Sequence, residues 1–268
     1  MNTGEFERII TPDGQVRVLN LMPSDPEAVR GNVMAGPPLE IPLAEIQAFD
    51  AWPSVVKIKD QDGRGACNGH AAATAAELSR AMQGYAYVPL SAWWVYGRLV
   101  NGRDRGSNIM DALALCSKDG VAPESTVDYG DFSGRYPDAA QSAASRFRIE
   151  IGKSLGQNWE AIVTAVALRR GVNLSVRATG GWSGRLDASG CPPVGRGPCN
   201  HAVMVGAGLK RLPNGEWLIR MANSWNANWG DGGFCWLSRA HIESTSWFEA
   251  YEVTAVAADP QDVHPIAA

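Results

Sequence analysis

The chain has 268 residues, with 24 Lys and Arg against 28 Asp and Glu, for a formal net charge of −4. This mildly acidic balance excludes nucleic-acid binding by bulk electrostatics, and Arg103, Arg105, Arg169 and Arg170 read as solvated surface among acids. At 45% hydrophobic and 19% charged residues the composition is globular, and the length suffices to bury a core without staples. The longest apolar run, 161–168, is far short of the roughly 20 residues a membrane span needs, so no membrane partner is expected.

Residues 1–48 differ from the rest. The first eleven carry Glu5, Glu7 and Arg8 and no apolar stretch, so no signal peptide and a cytoplasmic location are expected. Turn signals at Pro12-Asp13-Gly14 and Gly36-Pro37-Pro38 separate short apolar runs. The segment reads as an extension, either a vestigial propeptide or an arm that docks an assembly partner. Residues 259–268 read as a C-terminal tail.

The Ala-rich stretch 67–83 predicts a helix stopped by Gly84. Ser91 caps a second helix through Leu99, and Ser107 a third, with Ile109, Leu113 and Cys116 on one face and Gly120 as its stop. A weaker helix spans 137–145. Beyond it come a strand at 147–151, a helix at 159–170 stopped by Gly171, and a strand at 172–176. Apolar strands at 201–206 and 217–221 flank Pro213-Asn214-Gly215 as a hairpin, with further strands at 234–237 and 251–256. The fold class is therefore α+β: a helical half at about 49–145, a β-rich half at about 146–258, and a cleft between them as the natural ligand site.

The five cysteines, Cys67, Cys116, Cys191, Cys199 and Cys235, are too few for a disulfide scaffold. Cys116 reads as a core residue, and Cys235 as a core residue or an outward-facing neighbour on its strand. Cys191 and Cys199 bracket a Gly-Pro loop, where pairing stays open. The Cys-x7-Cys-x-His spacing to His201 is no tight metal knuckle, so no metal site is expected. Cys67 differs, because the Gly-rich turn Gln61-Asp62-Gly63-Arg64-Gly65-Ala66 delivers it to the first turn of a helix. There the exposed amides and the positive helix end favour a thiolate nucleophile. Gln61 can curl back as an amide donor and, with the Cys67 N–H, form an oxyanion hole.

A nucleophile needs a base, and the chain has four histidines. His70 shares the cysteine's helix and points to a neighbouring face, so it is set aside as a core residue. His241 and His264 read as surface. His201 opens an apolar strand after a long loop and suits a cleft. Asn223 can accept from its ring and fix the tautomer, with Trp225 shielding that bond.

Three ordered segments carry a resemblance: Gln61 with Gly65-Ala66-Cys67; His201-Ala202-Val203; and Asn223-Ser224-Trp225 through Trp229-Gly230 to Gly233-Phe234. Over residues 50–257 the chain resembles the papain-like cysteine peptidases, in a divergent prokaryotic or viral form. His201 lies 134 residues after Cys67, inside the roughly 130–150 of that family.

The resemblance implies a two-lobe fold and an endopeptidase that hydrolyses peptide bonds in peptide or protein substrates through a Cys67 acyl-enzyme. In it His201 is the general base, Asn223 the orienter and Gln61 the oxyanion donor. Gly65, Gly106, Ser107, Asn200 and Trp225 line the substrate path, and no cofactor is implied. Asn68 replaces the aromatic residue that usually follows the cysteine, and Arg64 replaces a disulfide cysteine, which fits a reducing compartment. An extension of this length is too short for the family's helical inhibitory prodomain. Two other readings stay open: a structural or assembly protein, a virion component included, that retains the fold; and a Cys–His hydrolase of peptidoglycan peptides.

Overall fold

The structure is a computed structural model, described here for residues 7–256 except Pro12 and Gly184; the tail at 259–268 and His264 lie outside the described residues. Its elements run β1 (Glu7–Ile10), β2 (Val16–Leu19), α1 (Pro26–Asn32), β3 (Phe49–Asp50), α2 (Cys67–Met82), α3 (Ala92–Val100), α4 (Ile109–Lys118), α5 (Asp138–Ala144), β4 (Ile149–Ser154), α6 (Trp159–Ala167) and β5 (Gly171–Val176). They continue with β6 (Gly197–Pro198), β7 (His201–Arg211), β8 (Trp217–Ala222), β9 (Phe234–Ser238), α7 (Arg239–Glu243), β10 (Thr245–Trp247) and β11 (Ala250–Ala255).

The main sheet has the order β4-β11-β5-β7-β8-β9, with β3 added to β7, and all its pairings are antiparallel. Helices α2–α5 precede most of it, so the α+β order expected from the sequence holds. Helix α2 is the hinge of the architecture. Its small residues Ala71, Ala72, Ala73, Ala75 and Ala76 are all buried, which lets it pack against α3 and α4 on one side and β5, β7 and β11 on the other. A second apolar cluster, with Ile162, Val166, Leu174, Val205, Ile219 and Trp229, fills the space between α6 and the sheet. No helix among the described residues is long and apolar enough to cross a membrane.

Several local expectations shift. Asn108, not Ser107, caps α4: its Oδ1 accepts from the Asp111 N–H at 2.7 Å. Helix α6 ends at Ala167 rather than at Arg170. Its last turn closes through Arg170 N–H to Ala165 O and Arg169 N–H to Val166 O, with Arg169 in the left-handed region at φ 61°. Gly171 is thus free to begin β5. Strand β4 starts at Ile149, because Phe147 is held in the turn after α5 by the Ala144 carbonyl. His241 is buried, against the surface position expected: its Nδ1 accepts from the Ser238 N–H at 3.1 Å in a capping box, and its Nε2 faces Pro192 O at 2.8 Å. Cys191 and Cys199 are both free and buried.

Candidate active site

Cys67 is the first residue of α2, preceded by the tight turn that starts at Gln61. His201 is the first residue of β7, and Asn223 follows the last residue of the neighbouring β8. The antiparallel register of β7 and β8, with Met204 opposite Ala222, brings the histidine and the asparagine together across 22 residues.

His201 Nε2 lies 2.8 Å from Asn223 Oδ1. That oxygen is an acceptor, which places the ring proton on Nε2 and leaves Nδ1 as a lone pair. Nδ1 is buried with no partner among the described residues. The Trp225 ring lies tilted over His201 at 5.0 Å between centroids and keeps water from the His–Asn bond. Gln61 is fixed at both ends. Its Oε1 accepts from Ser224 Oγ at 2.8 Å and Trp225 Nε1 at 3.2 Å, while its Nε2 donates to Val18 O at 3.0 Å and Arg64 O at 2.6 Å. Among the described residues, no cluster of three or more His, Cys, Asp or Glu could hold a metal ion.

Cys67 and His201 are fully buried. Burial pushes the thiol up to about 11, against hydrogen bonds from the backbone amides of Ala202, Asn68 and Asn20. Burial likewise lowers His201 to about 4, against the hydrogen bond the ring donates to Asn223. In this state both partners are neutral.

The cover is the N-terminal extension, which sequence reasoning did not place here. Residues 17–24 run along the site. Leu21 N–H donates to Asn200 O at 3.1 Å, and Met22 N–H to Ser107 O at 3.0 Å, so this segment bridges the two walls. Gly65 and Gly106 lie directly beneath it. Gly106 has φ +72°, and a Cβ there would overlap the Asn20 carbonyl; one at Gly65 would stand 3.3 Å from Asn20 Cβ. Asn200 also donates from Nδ2 to Glu7 Oε2 at 2.8 Å. Arg17, fully buried, pairs with Asp60 and donates to Trp225 O at 3.0 Å. Ser24 donates from N and Oγ to the Glu249 carboxylate at 2.7 and 2.6 Å.

The profile described as papain family cysteine protease matches residues 46–254. The chain belongs to this family. Among solved structures it is similar to xylellain, a cysteine protease from Xylella fastidiosa, at 18% identity and a TM-score of 0.71, over 95% of this chain and 100% of that one. It is also similar to digestive procathepsin L 3 of Tenebrio molitor larval midgut (22% identity, TM-score 0.61, 85% and 76% of the two chains). Bromelain from Ananas comosus in complex with the E64 inhibitor matches at 22% identity and a TM-score of 0.59, over 78% and 98%. At these identities the likenesses speak for the fold. A search among curated proteins returned no match. The papain-family chain is thus a papain-like cysteine peptidase, a hydrolase.

Proposed function

We propose that this peptidase cleaves peptide bonds through an acyl-enzyme on Cys67. His201 Nδ1 takes the thiol proton and returns it to the leaving amine, Asn223 holds the ring in the required tautomer, and Gln61 Nε2 with the Cys67 N–H receives the oxyanion. The observation that carries this is the His201–Asn223 bond, which leaves Nδ1 unpartnered on the residue next to Ala202, whose amide hydrogen-bonds the Cys67 thiol at the start of α2. Peptide backbone is the expected ligand of the walls at Ser107 and Asn200, because the chain's own residues Met22 and Leu21 already hydrogen-bond to their carbonyls.

The same contacts support a second element: residues 17–24 hold the enzyme closed. Val18 O occupies the Gln61 amide that the oxyanion requires, and burial keeps the thiol–imidazole pair neutral. The test is Cys67→Ala against wild type on a fluorogenic peptide, after acid treatment to open the arm. Turnover is expected to vanish with the thermal midpoint and circular dichroism unchanged. Undiminished hydrolysis by the variant sinks the reading.

A further inference from the structure

One buried titratable group beside the nucleophile has no task in this mechanism. His70 lies one helical turn after Cys67 and is 1% exposed. Its Nδ1 is 2.9 Å from the Ala66 carbonyl oxygen and its Nε2 is 3.0 Å from that of Asp60. The first carbonyl belongs to the peptide unit of an oxyanion donor, and the second to the peptide unit that leads into the residue carrying the other donor. The Ala66 carbonyl and the Cys67 N–H are two ends of one planar group. The Asp60 carbonyl and the Gln61 N–H are two ends of another, and that N–H is itself fixed on Ser224 O at 2.9 Å. The ring plane is set by Trp93, which meets it edge-on at 4.9 Å and 89°.

We propose that His70 is the positioning residue of the oxyanion hole: its imidazole sits between the peptide unit that offers the Cys67 N–H and the peptide unit that leads into Gln61, donating to one carbonyl when neutral and to both when protonated. The inference rests on the peptidase reading above. A hydrogen bond accepted by a carbonyl polarises its peptide group and strengthens the N–H at the other end as a donor. Once protonated, the ring also ties the start of α2 to the segment carrying Gln61, so the two donors share one frame.

A neutral imidazole has one N–H and donates to one carbonyl, whereas an imidazolium donates to both. Burial opposes the second proton most strongly and lowers the ring to about 4; the Lys59 ammonium adds to this, and the two carbonyls and the Asp60 carboxylate favour the proton. From β7, His201 is electrostatically coupled to the ring. Lys57 and Glu124 line a cavity of about 600 Å³ that reaches His70. The bridge therefore becomes a double clamp as pH falls toward about 4.

The test compares full-length wild type, His70→Phe and His70→Gln, each after the same acid treatment to open the arm, by peptide turnover and by iodoacetamide labelling of Cys67. Labelling needs the thiolate and no oxyanion hole. His70→Phe is expected to lower kcat about 10–100-fold, with KM and the labelling rate within about twofold, and His70→Gln, which keeps a donor, to recover part of the loss. The wild-type to His70→Phe kcat ratio should rise below about pH 5. An equal loss in kcat and labelling, or no loss in kcat, overturns the proposal. Should wild type label at Cys67 but hydrolyse no peptide, the peptidase reading fails by itself, and the ¹⁵N spectrum of the ring decides the bridge. A single tautomer with an exchange-protected N–H supports it; a tautomer-averaged, fast-exchanging ring overturns it.

Discussion

At the scale of single residues, the site is a set of fixed acceptors and donors around the unpartnered Nδ1 of His201. Asn223 Oδ1 accepts both from His201 and from the Ser224 N–H at 2.8 Å, so the carboxamide cannot rotate without losing two bonds. Asn223→Ala leaves the ring free to change tautomer, and kcat is expected to fall about 10–100-fold with KM little changed, as read from initial rates on a peptide substrate. Gln61→Ala removes the proposed side-chain oxyanion donor and is expected to lower kcat about 100–1000-fold; a loss confined to KM would argue that Gln61 only shapes the cleft. The placement of Cys67, His201 and Asn223 was legible because their neighbours form local patterns: a glycine turn before a helix, a histidine heading an apolar strand, an Asn-Ser-Trp block. His70 was read as a core residue, since no sequence pattern shows that its two nitrogens meet carbonyls at Ala66 and Asp60.

At the scale of elements, the approach of α2 to α3 governs where the cysteine sits. Gly69 allows it: a Cβ there would stand 2.8 Å from the Ala92 carbonyl and 2.9 Å from Tyr96 Cβ, and neither can move without shifting α3. Gly69→Ala is therefore expected to lower stability by about 1–3 kcal/mol in urea denaturation, despite the better helix propensity of alanine. The pair is anchored further by Lys59, whose ammonium reaches Glu77 and Glu124 at 2.8 Å each and the Leu90 carbonyl at 2.8 Å. Glu77 in turn accepts from the Leu90 N–H at 2.6 Å. Removing one member of such a buried cluster leaves an uncompensated charge; Lys59→Met should cost about 3–5 kcal/mol by the same measurement. Helix starts and stops were largely legible from capping residues and glycines. The exceptions, Asn108 and Arg169, are places where residues one or two positions apart compete for one role and packing chooses.

At the scale of the whole molecule, closure of the site by residues 17–24 is linked to pH. Burial holds His201 at about 4 in the closed state, below its ordinary value of 6.5. A base whose pKa is depressed by closure stabilises the closed form above about pH 6.5, and that contribution is lost as pH falls toward about 4. Acidification from pH 7 to 5 is thus expected to speed alkylation of Cys67 by opening the arm. Arg17→Ala removes the buried ion pair to Asp60 and should raise the pH 7 rate about tenfold, the factor that about 1.4 kcal/mol represents. A rate that stays flat with pH and is unchanged by Arg17→Ala would show that the arm does not limit access. The sequence by itself determined the helix-then-strand order, the head-of-helix cysteine, the head-of-strand histidine and the family, because each is written in local spacing and residue type. Only the tertiary structure decided that the extension fills the cleft, that the thiol and imidazole are neutral there, and that His241 is buried. Those facts arise from contacts between segments far apart in the chain and from the loss of solvent around them, and neither leaves a period or a motif to read.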